Sequence, residues 1–203
     1  MKNWLLRMLL ISTVALLAAC AGKPLPPVTE YSLSPRIQPR TSTELRLPVT
    51  LKLAPVNASQ KYMTTDIVYV DGKYRRNSYA YSRWVDTPVH MLQLVLQDGL
   101  ERSGLFQAVL PSSSLLRADL RLEATLYEFS QQLKPGQESE AVVRLGFHLL
   151  DVRESRLLAS RQFEVRVPAP SLDAQGGVHA INAAVAALLP RLVDWLQGNL
   201  ATP

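Results

Sequence analysis

A single cysteine carries the most specific chemistry in this chain of 203 residues. Cys20 follows Leu17, Ala18 and Ala19, an apolar residue and two small ones in the order of the bacterial lipobox. In a lipobox the small residues let the signal peptidase approach, and the thiol carries a diacylglyceryl thioether. The alternative is an ordinary signal peptide beside a chance cysteine. Because the chain's one cysteine stands at the required place, the sequence predicts that Cys20 is lipidated and holds the chain on a membrane.

The residues before this cysteine have the composition of a secretory signal peptide. Lys2 and Arg7 are basic, and residues 8–19 are apolar apart from two hydroxyl side chains. Such a run is too short to cross a bilayer core, which needs about 20 residues in a helix. Residues 1–19 are therefore predicted to be a signal peptide. Ala21 follows the cysteine, and the absence of an aspartate there favours the outer membrane, by resemblance to the sorting rule of enterobacteria.

Composition and charge exclude several protein classes for the rest of the chain. With 47% hydrophobic and 19% charged residues, it is too apolar to be disordered. Without Lys2 and Arg7, 20 basic and 17 acidic residues leave a net charge of only +3, which gives no indication of nucleic-acid binding. One cysteine excludes a disulfide framework. Prolines predict a tether over residues 20–44, interrupted by a candidate short edge strand at residues 28–33, and residues 45–203 are predicted to form one domain.

The other side chains capable of chemistry do not form a catalytic or metal-binding pattern. His90, His148 and His179 lack metal-ligand spacing, and each is predicted to be a solvated surface histidine. Asp119 and Glu123 share one strand face, but an arginine between them favours a solvated charged face. Two glycines before the last helix favour a loop-to-helix junction over an anion site. We expect no catalytic residues, no cofactor and no metal.

Arginine and aromatic residues interleave at one predicted hairpin. Such a mixture is enriched at protein interfaces, although an ordinary amphipathic hairpin is an equal alternative. A periplasmic lipoprotein would meet no nucleic acid. The sequence predicts a partner surface there, extended by an apolar residue on the polar face of the next helix; the candidates are Arg75, Arg76, Tyr79, Tyr81, Arg83, Trp84 and Leu94. Its partner would be a second copy of the chain or another subunit.

Alternating strands and two amphipathic helices must position these residues. Alternation over residues 45–53, 118–126 and 141–149 predicts half-buried strands, with a phase slip at Tyr127 that indicates a bulge. Asp71–Gly72 predicts a hairpin turn. We predict an α+β class: a single domain with a mainly antiparallel sheet and two helices packed on one face.

The two helices each have a distinct sequence signature. Thr87–Pro88 predicts the start of the first helix, with Leu92 on its apolar face. The second helix should begin near Asp173 or Gly177, and Pro190 should kink or restart it. Both apolar stripes are predicted to face the sheet rather than a membrane.

The order of the motifs resembles the auxiliary lipoprotein component of ABC-type transport systems, the family that includes paraquat-inducible protein C. The motifs that carry the resemblance are Cys20 and residues 30–33, 79–84, 87–88, 103–106, 118–120, 127–129 and 157–159. The resemblance implies a non-catalytic subunit facing the periplasm from the outer membrane. It also implies partners: an inner-membrane permease, an ATPase and periplasmic MCE-domain proteins in a lipid-transport system.

Two other classes stay open on the sequence. One is an assembly lipoprotein that plugs or chaperones an outer-membrane protein. The other is an envelope hydrolase, which would need a buried carboxyl or histidine with a shifted pKa in a pocket.

Overall fold

A computed structural model describes residues 26–37 and 46–200, together with Trp4. Cys20 and, apart from Trp4, the predicted signal peptide lie outside the described residues. The division into signal peptide, tether and domain therefore stays a prediction.

In the described part of the chain, nine strands form one sheet, and two helices cover it. The strands are β1 (Thr29–Tyr31), β2 (Leu47–Leu53), β3 (Asn57–Ala58), β4 (Asp66–Asp71), β5 (Arg75–Trp84), β6 (Phe106–Leu110), β7 (Leu120–Lys134), β8 (Glu138–Asp151) and β9 (Arg156–Pro168). The helices are α1 (Pro88–Arg102) and α2 (Ala174–Leu200), and a 3-10 turn covers Gln60–Tyr62.

The sheet is organised around β7. On one side β7 pairs with β8, and β8 with β9, in long antiparallel ladders. On its other side β7 pairs in parallel with three consecutive segments, β2, β3 and β4. The sheet then forks, because β6 extends it beside β2, whereas β5 and β1 extend it beside β4. The predicted α+β class and single domain are confirmed; the longest ladders are antiparallel, but the sheet as a whole is mixed.

The predicted bulge in β7 is confirmed. The register with β8 shifts between Leu126 and Glu128, because one extra residue enters β7 there. The shift turns Phe129 into the core, where its ring centroid lies 5.6 Å from that of Trp84. Alternation then places Glu128 on the opposite sheet face.

Helix α1 begins where the sequence predicts. The Oγ1 atom of Thr87 accepts a hydrogen bond from the backbone N–H of His90, which caps the helix. Leu92, Leu96 and Leu100 are buried in the core. The predicted core-facing stripe is therefore confirmed.

Helix α2 packs on β7, β8 and β9, and Leu188 and Leu192 are fully buried. By length and hydropathy α2 could span a membrane, but 61% of its most apolar window is buried inside the domain, as in a core helix. The helix continues through Pro190 to Leu200, so the predicted restart is wrong, and the kink that was its alternative stays a prediction. The proline lies on the exposed side, where water can hydrate the carbonyl of Ala186 that loses its N–H partner.

Candidate functional site

Strand β5, which carries six of the seven candidate partner residues, lies near one edge of the sheet. It follows β4 through the predicted turn, where Gly72 adopts the left-handed φ of +72° that such a turn requires. The strand on its other side, β1, pairs with it only from Ser82 to Trp84. Among the described residues, no strand borders the rest of that side of β5.

Arg76 is held by a buried carboxylate. Its Nη1 and Nη2 atoms donate to Oε1 and Oε2 of Glu128 at 2.7 and 2.8 Å. The side chain of Glu128 is 6% exposed and that of Arg76 is 41% exposed. This bidentate pair joins β5 to β7 across β4, so Arg76 has a structural role whether or not it also meets a partner.

Two further donors complete the environment of Glu128. The hydroxyls of Tyr62 and Ser130 donate to Oε1 at 2.9 and 2.6 Å, and the Tyr62 hydroxyl accepts from the backbone N–H of Phe129 at 3.0 Å. Burial alone would raise the pKa of Glu128, but the hydrogen bonds from Arg76, Ser130 and Tyr62 lower it from 4.5 to about 2. A carboxyl with this pKa is a permanent anion near neutral pH, which fits an ion pair and not a proton donor.

Tyr79 fastens β5 to the loop before α2. Its hydroxyl lies 2.7 Å from Oε1 of Gln131 and 2.8 Å from the carbonyl oxygen of Leu172. Burial raises the pKa of Tyr79 to about 12, so the hydroxyl keeps its proton and donates. The buried Gln131 also donates through Nε2 to Ser139 Oγ at 2.8 Å and to the carbonyl oxygen of Ser171 at 2.9 Å.

The remaining charged candidates on β5 form exposed ion pairs. Arg75 lies 2.8 Å from a carboxylate oxygen of Asp71. Arg83 donates to Glu30 of β1 at 2.7 Å. Exposed pairs of this kind contribute little to stability, and both arginines stay accessible to a partner.

One candidate was assigned to the surface wrongly. Trp84 is only 1% exposed and packs against Phe129 in the core. At the end of β5 its ring turns inward, so it contacts no partner in this conformation. By contrast, Tyr81 is 47% exposed and Leu94 is also exposed. The structure therefore leaves Arg75, Tyr81, Arg83 and Leu94 as the accessible candidates, and their role in binding stays a prediction.

The three histidines do not meet in the fold. His90 pairs with Asp86 beside the cap of α1, and His148 and His179 are exposed on β8 and α2. Within the described residues, no group of three histidine, cysteine, aspartate or glutamate side chains could hold a metal ion. Asp119 accepts from the backbone N–H and hydroxyl of Thr50 at 2.8 and 2.9 Å, so its carboxylate joins β2 to the start of β7.

The glycines at the start of α2 serve packing. A Cβ at Gly177 would lie 2.3 Å from Oε1 of Gln131, and one at Gly176 would lie 2.3 Å from the hydroxyl oxygen of Ser171. Only residues without a side chain let the helix approach this closely. The predicted loop-to-helix junction thus has a steric basis.

Sequence reasoning missed Glu128, Tyr62 and Gln131, the residues that fasten the hairpin. A signal was present for Glu128, because it directly follows the phase slip at Tyr127. No local signal marks Tyr62 or Gln131, since their partners are 66 and 52 positions away in the chain.

Solved structures with a similar fold come from several bacteria. A Xanthomonas campestris protein superposes with a TM-score of 0.76 at 23% identity, covering 84% of this chain and 96% of its own. An uncharacterised protein has a TM-score of 0.65 at 14% identity, covering 84% and 99%. A hypothetical protein of Chlamydia trachomatis has a TM-score of 0.54 at 9% identity, covering 77% and 100%. These likenesses show the fold alone.

No curated protein compared with the chain matches it significantly. The family of ABC-type transport auxiliary lipoprotein components, however, matches residues 31–193, from the end of β1 to the last turns of α2. Because this match takes in both branches of the forked sheet and both helices, the chain belongs to the family of ABC-type transport auxiliary lipoprotein components.

Proposed function

We propose that the protein is a non-catalytic, outer-membrane lipoprotein of an MCE-type ABC lipid-transport system. Acylated Cys20 holds it on the periplasmic side, and the domain binds the periplasmic MCE-domain subunit. The observation that carries this proposal is the family match over residues 31–193, which begins 11 residues after a lipobox cysteine. The described side chains support a binding role, since the buried carboxylate at Glu128 is neutralised by Arg76 and not poised for catalysis.

The accessible side of β5 is the proposed contact surface. This side of β5 carries Arg75, Tyr81 and Arg83. In the described part of the chain, the only strand that pairs with it there is β1, which covers Ser82 to Trp84. Aromatic and arginine side chains supply large contact area and charge-assisted hydrogen bonds at interfaces. Leu94 is exposed on α1, which packs on β6 and α2, so it is proposed as a second, separate apolar position.

The anchor is tested by labelled fatty acid. Cys20→Ala should abolish incorporation and leave unprocessed precursor or a soluble periplasmic form. Incorporation that persists in this variant would show that the lipid is attached elsewhere.

The partner surface is tested by photocrosslinking in membranes. A crosslinking residue at Tyr81 should capture the MCE-domain subunit, whereas one at Leu157, similarly exposed on the opposite edge strand β9, should not. Tyr81→Ala and Leu94→Ala should weaken capture with an unchanged melting temperature. Capture of a second copy in place of the MCE-domain subunit would assign the surface to self-association, and capture of a barrel protein would favour an assembly lipoprotein.

A further inference from the structure

The chain is fixed to the domain at β1, within the predicted tether of residues 20–44. Thr29 and Tyr31 pair with Ser82 and Trp84 of β5, and Tyr31 accepts from the backbone N–H of Val85 at 2.9 Å. The side chain of Leu33 is buried beyond the strand. The length of chain between Cys20 and the sheet is therefore that of the residues before Thr29.

The pairing pattern shows where the tether joins the sheet. Glu30 pairs with Arg83, which pairs with Asp66 of β4, so Glu30 is level with Asp66. Five residue steps lead from Asp66 to Asp71, where the β4–β5 hairpin turns. At about 3.3 Å per residue, that end of the sheet is about 17 Å away. The ten residue steps from Cys20 to Glu30 extend to at most about 35 Å, so the tether is long enough to reach past the hairpin end.

The opposite end of the sheet is further away and lies in the wrong direction. Tyr69 pairs with Gln131, which makes Asp66 level with Glu128. Because of the bulge, the stretch of β7 from Leu120 to Glu128 pairs with the seven steps from Arg144 to Asp151 of β8, or about 23 Å, and the 151–155 turn lies beyond it. Because β1 runs parallel to β5, away from the hairpin end, a tether leading to the opposite end would have to reverse and then use most of its extended length.

The hairpin end presents side chains suited to a lipid surface. Tyr74 is 82% exposed at the turn, and the ammonium of Lys73 lies 5.2 Å from the centroid of its ring. Arg75 is paired with Asp71, so Lys73 supplies the net positive charge of the turn. Tyrosine rings favour the membrane–water interface, and a cation is attracted to anionic headgroups.

We infer that the β4–β5 hairpin end faces the membrane, with Lys73 and Tyr74 in contact with anionic lipid headgroups. The inference rests on the proposed anchor at Cys20. It fixes an orientation that the anchor alone does not, since any flexible tether would allow all faces of the domain to meet the lipid.

The experiment compares the two ends of the sheet in the acylated full chain. Tyr74→Cys and, at the opposite turn, Val152→Cys are labelled with a thiol-reactive fluorophore and placed in phosphatidylcholine–phosphatidylglycerol vesicles that contain quencher-bearing lipids. The label at position 74 should be quenched at least threefold more than the label at position 152. If the change at Tyr74 disturbs folding, a label on Lys73→Cys, in the same turn, should show the same stronger quenching. Equal quenching at both ends, or stronger quenching at position 152, would overturn the orientation.

Failure of the anchor gives a different result. Mass analysis of the N-terminal peptide reports acylation of Cys20 independently of the quenching. A peptide without acyl groups, together with a fluorophore on Cys20, would overturn the proposed anchor and the orientation that rests on it. An acylated peptide with no difference between the two labels would overturn the orientation alone.

Discussion

Replacing Glu128 with glutamine tests whether the buried ion pair holds the β5 hairpin in place. The carboxylate accepts from Arg76, Tyr62 and Ser130 at 2.6–2.9 Å and is almost fully buried. The fall of its pKa from 4.5 to about 2 on folding contributes about 3 kcal/mol to the free energy of unfolding, at about 1.36 kcal/mol per pKa unit. Because the folded-state pKa is the lower one, this stabilisation is present above pH 4.5 and is lost as the pH falls towards 2.

Thermal unfolding followed by circular dichroism measures the effect. At pH 7, Glu128→Gln should lower the melting temperature by about 6–12 °C, since each kcal/mol shifts a domain of this size by about 2–4 °C. The difference from the parent should shrink as the pH falls from 4.5 to 2, because the parent then loses the same charge. Glu123→Gln is the matched control, since Glu123 lies on the same strand in an exposed pair with Arg121 at 3.0 Å and should shift the melt by less than about 2 °C. Melts of the two variants that agree at pH 7 would refute the assigned role of Glu128.

Two further predictions concern the packing of the helices. Leu188→Asp should lower the free energy of unfolding by several kcal/mol and the melting temperature by a large amount, because it buries an unpaired charge. The control, Leu94→Asp on the exposed face of α1, should have little effect. Similar melting temperatures for the two variants would show that the α2 stripe does not face the core. Gly177→Ala should lower the melting temperature, because its Cβ would lie 2.3 Å from Gln131 Oε1. A Cβ at Gly198 meets nothing within 4 Å, so the melting temperature of Gly198→Ala should equal or exceed that of the parent. An unchanged melting temperature for Gly177→Ala would contradict the steric argument.

The elements that the sequence predicted are those specified by neighbouring residues. Alternation defined β7 and β8, the Asp71–Gly72 pair defined the hairpin, and Thr87–Pro88 defined the start of α1. The bulge in β7 also left a local sign, since Tyr127 and Phe129 break the parity of the strand. In each case the signal and the structure it specifies lie within a few residues.

The forked sheet could not be predicted in the same way. Parallel pairing of β2, β3 and β4 with β7 joins segments more than 60 residues apart, and nothing in a strand's own alternation states which neighbour it meets. The burial of Trp84 has the same origin, because the strand pairing that turns it towards Phe129 is non-local. Aromatic residues on an edge strand therefore look alike in sequence whether they face the core or the solvent.

The structure divides the arginine and tyrosine residues of β5 into two groups with different experimental value. Arg76 and Tyr79 hold β5 against β7 and the loop before α2, so truncating either one should reduce stability and association together. Tyr81 is exposed, and Arg83 makes only a surface pair with Glu30, so truncating them should alter association alone. A loss of partner capture in Tyr81→Ala with an unchanged melt would thus identify a contact surface, whereas the same loss in Arg76→Ala would not distinguish a contact from a displaced strand.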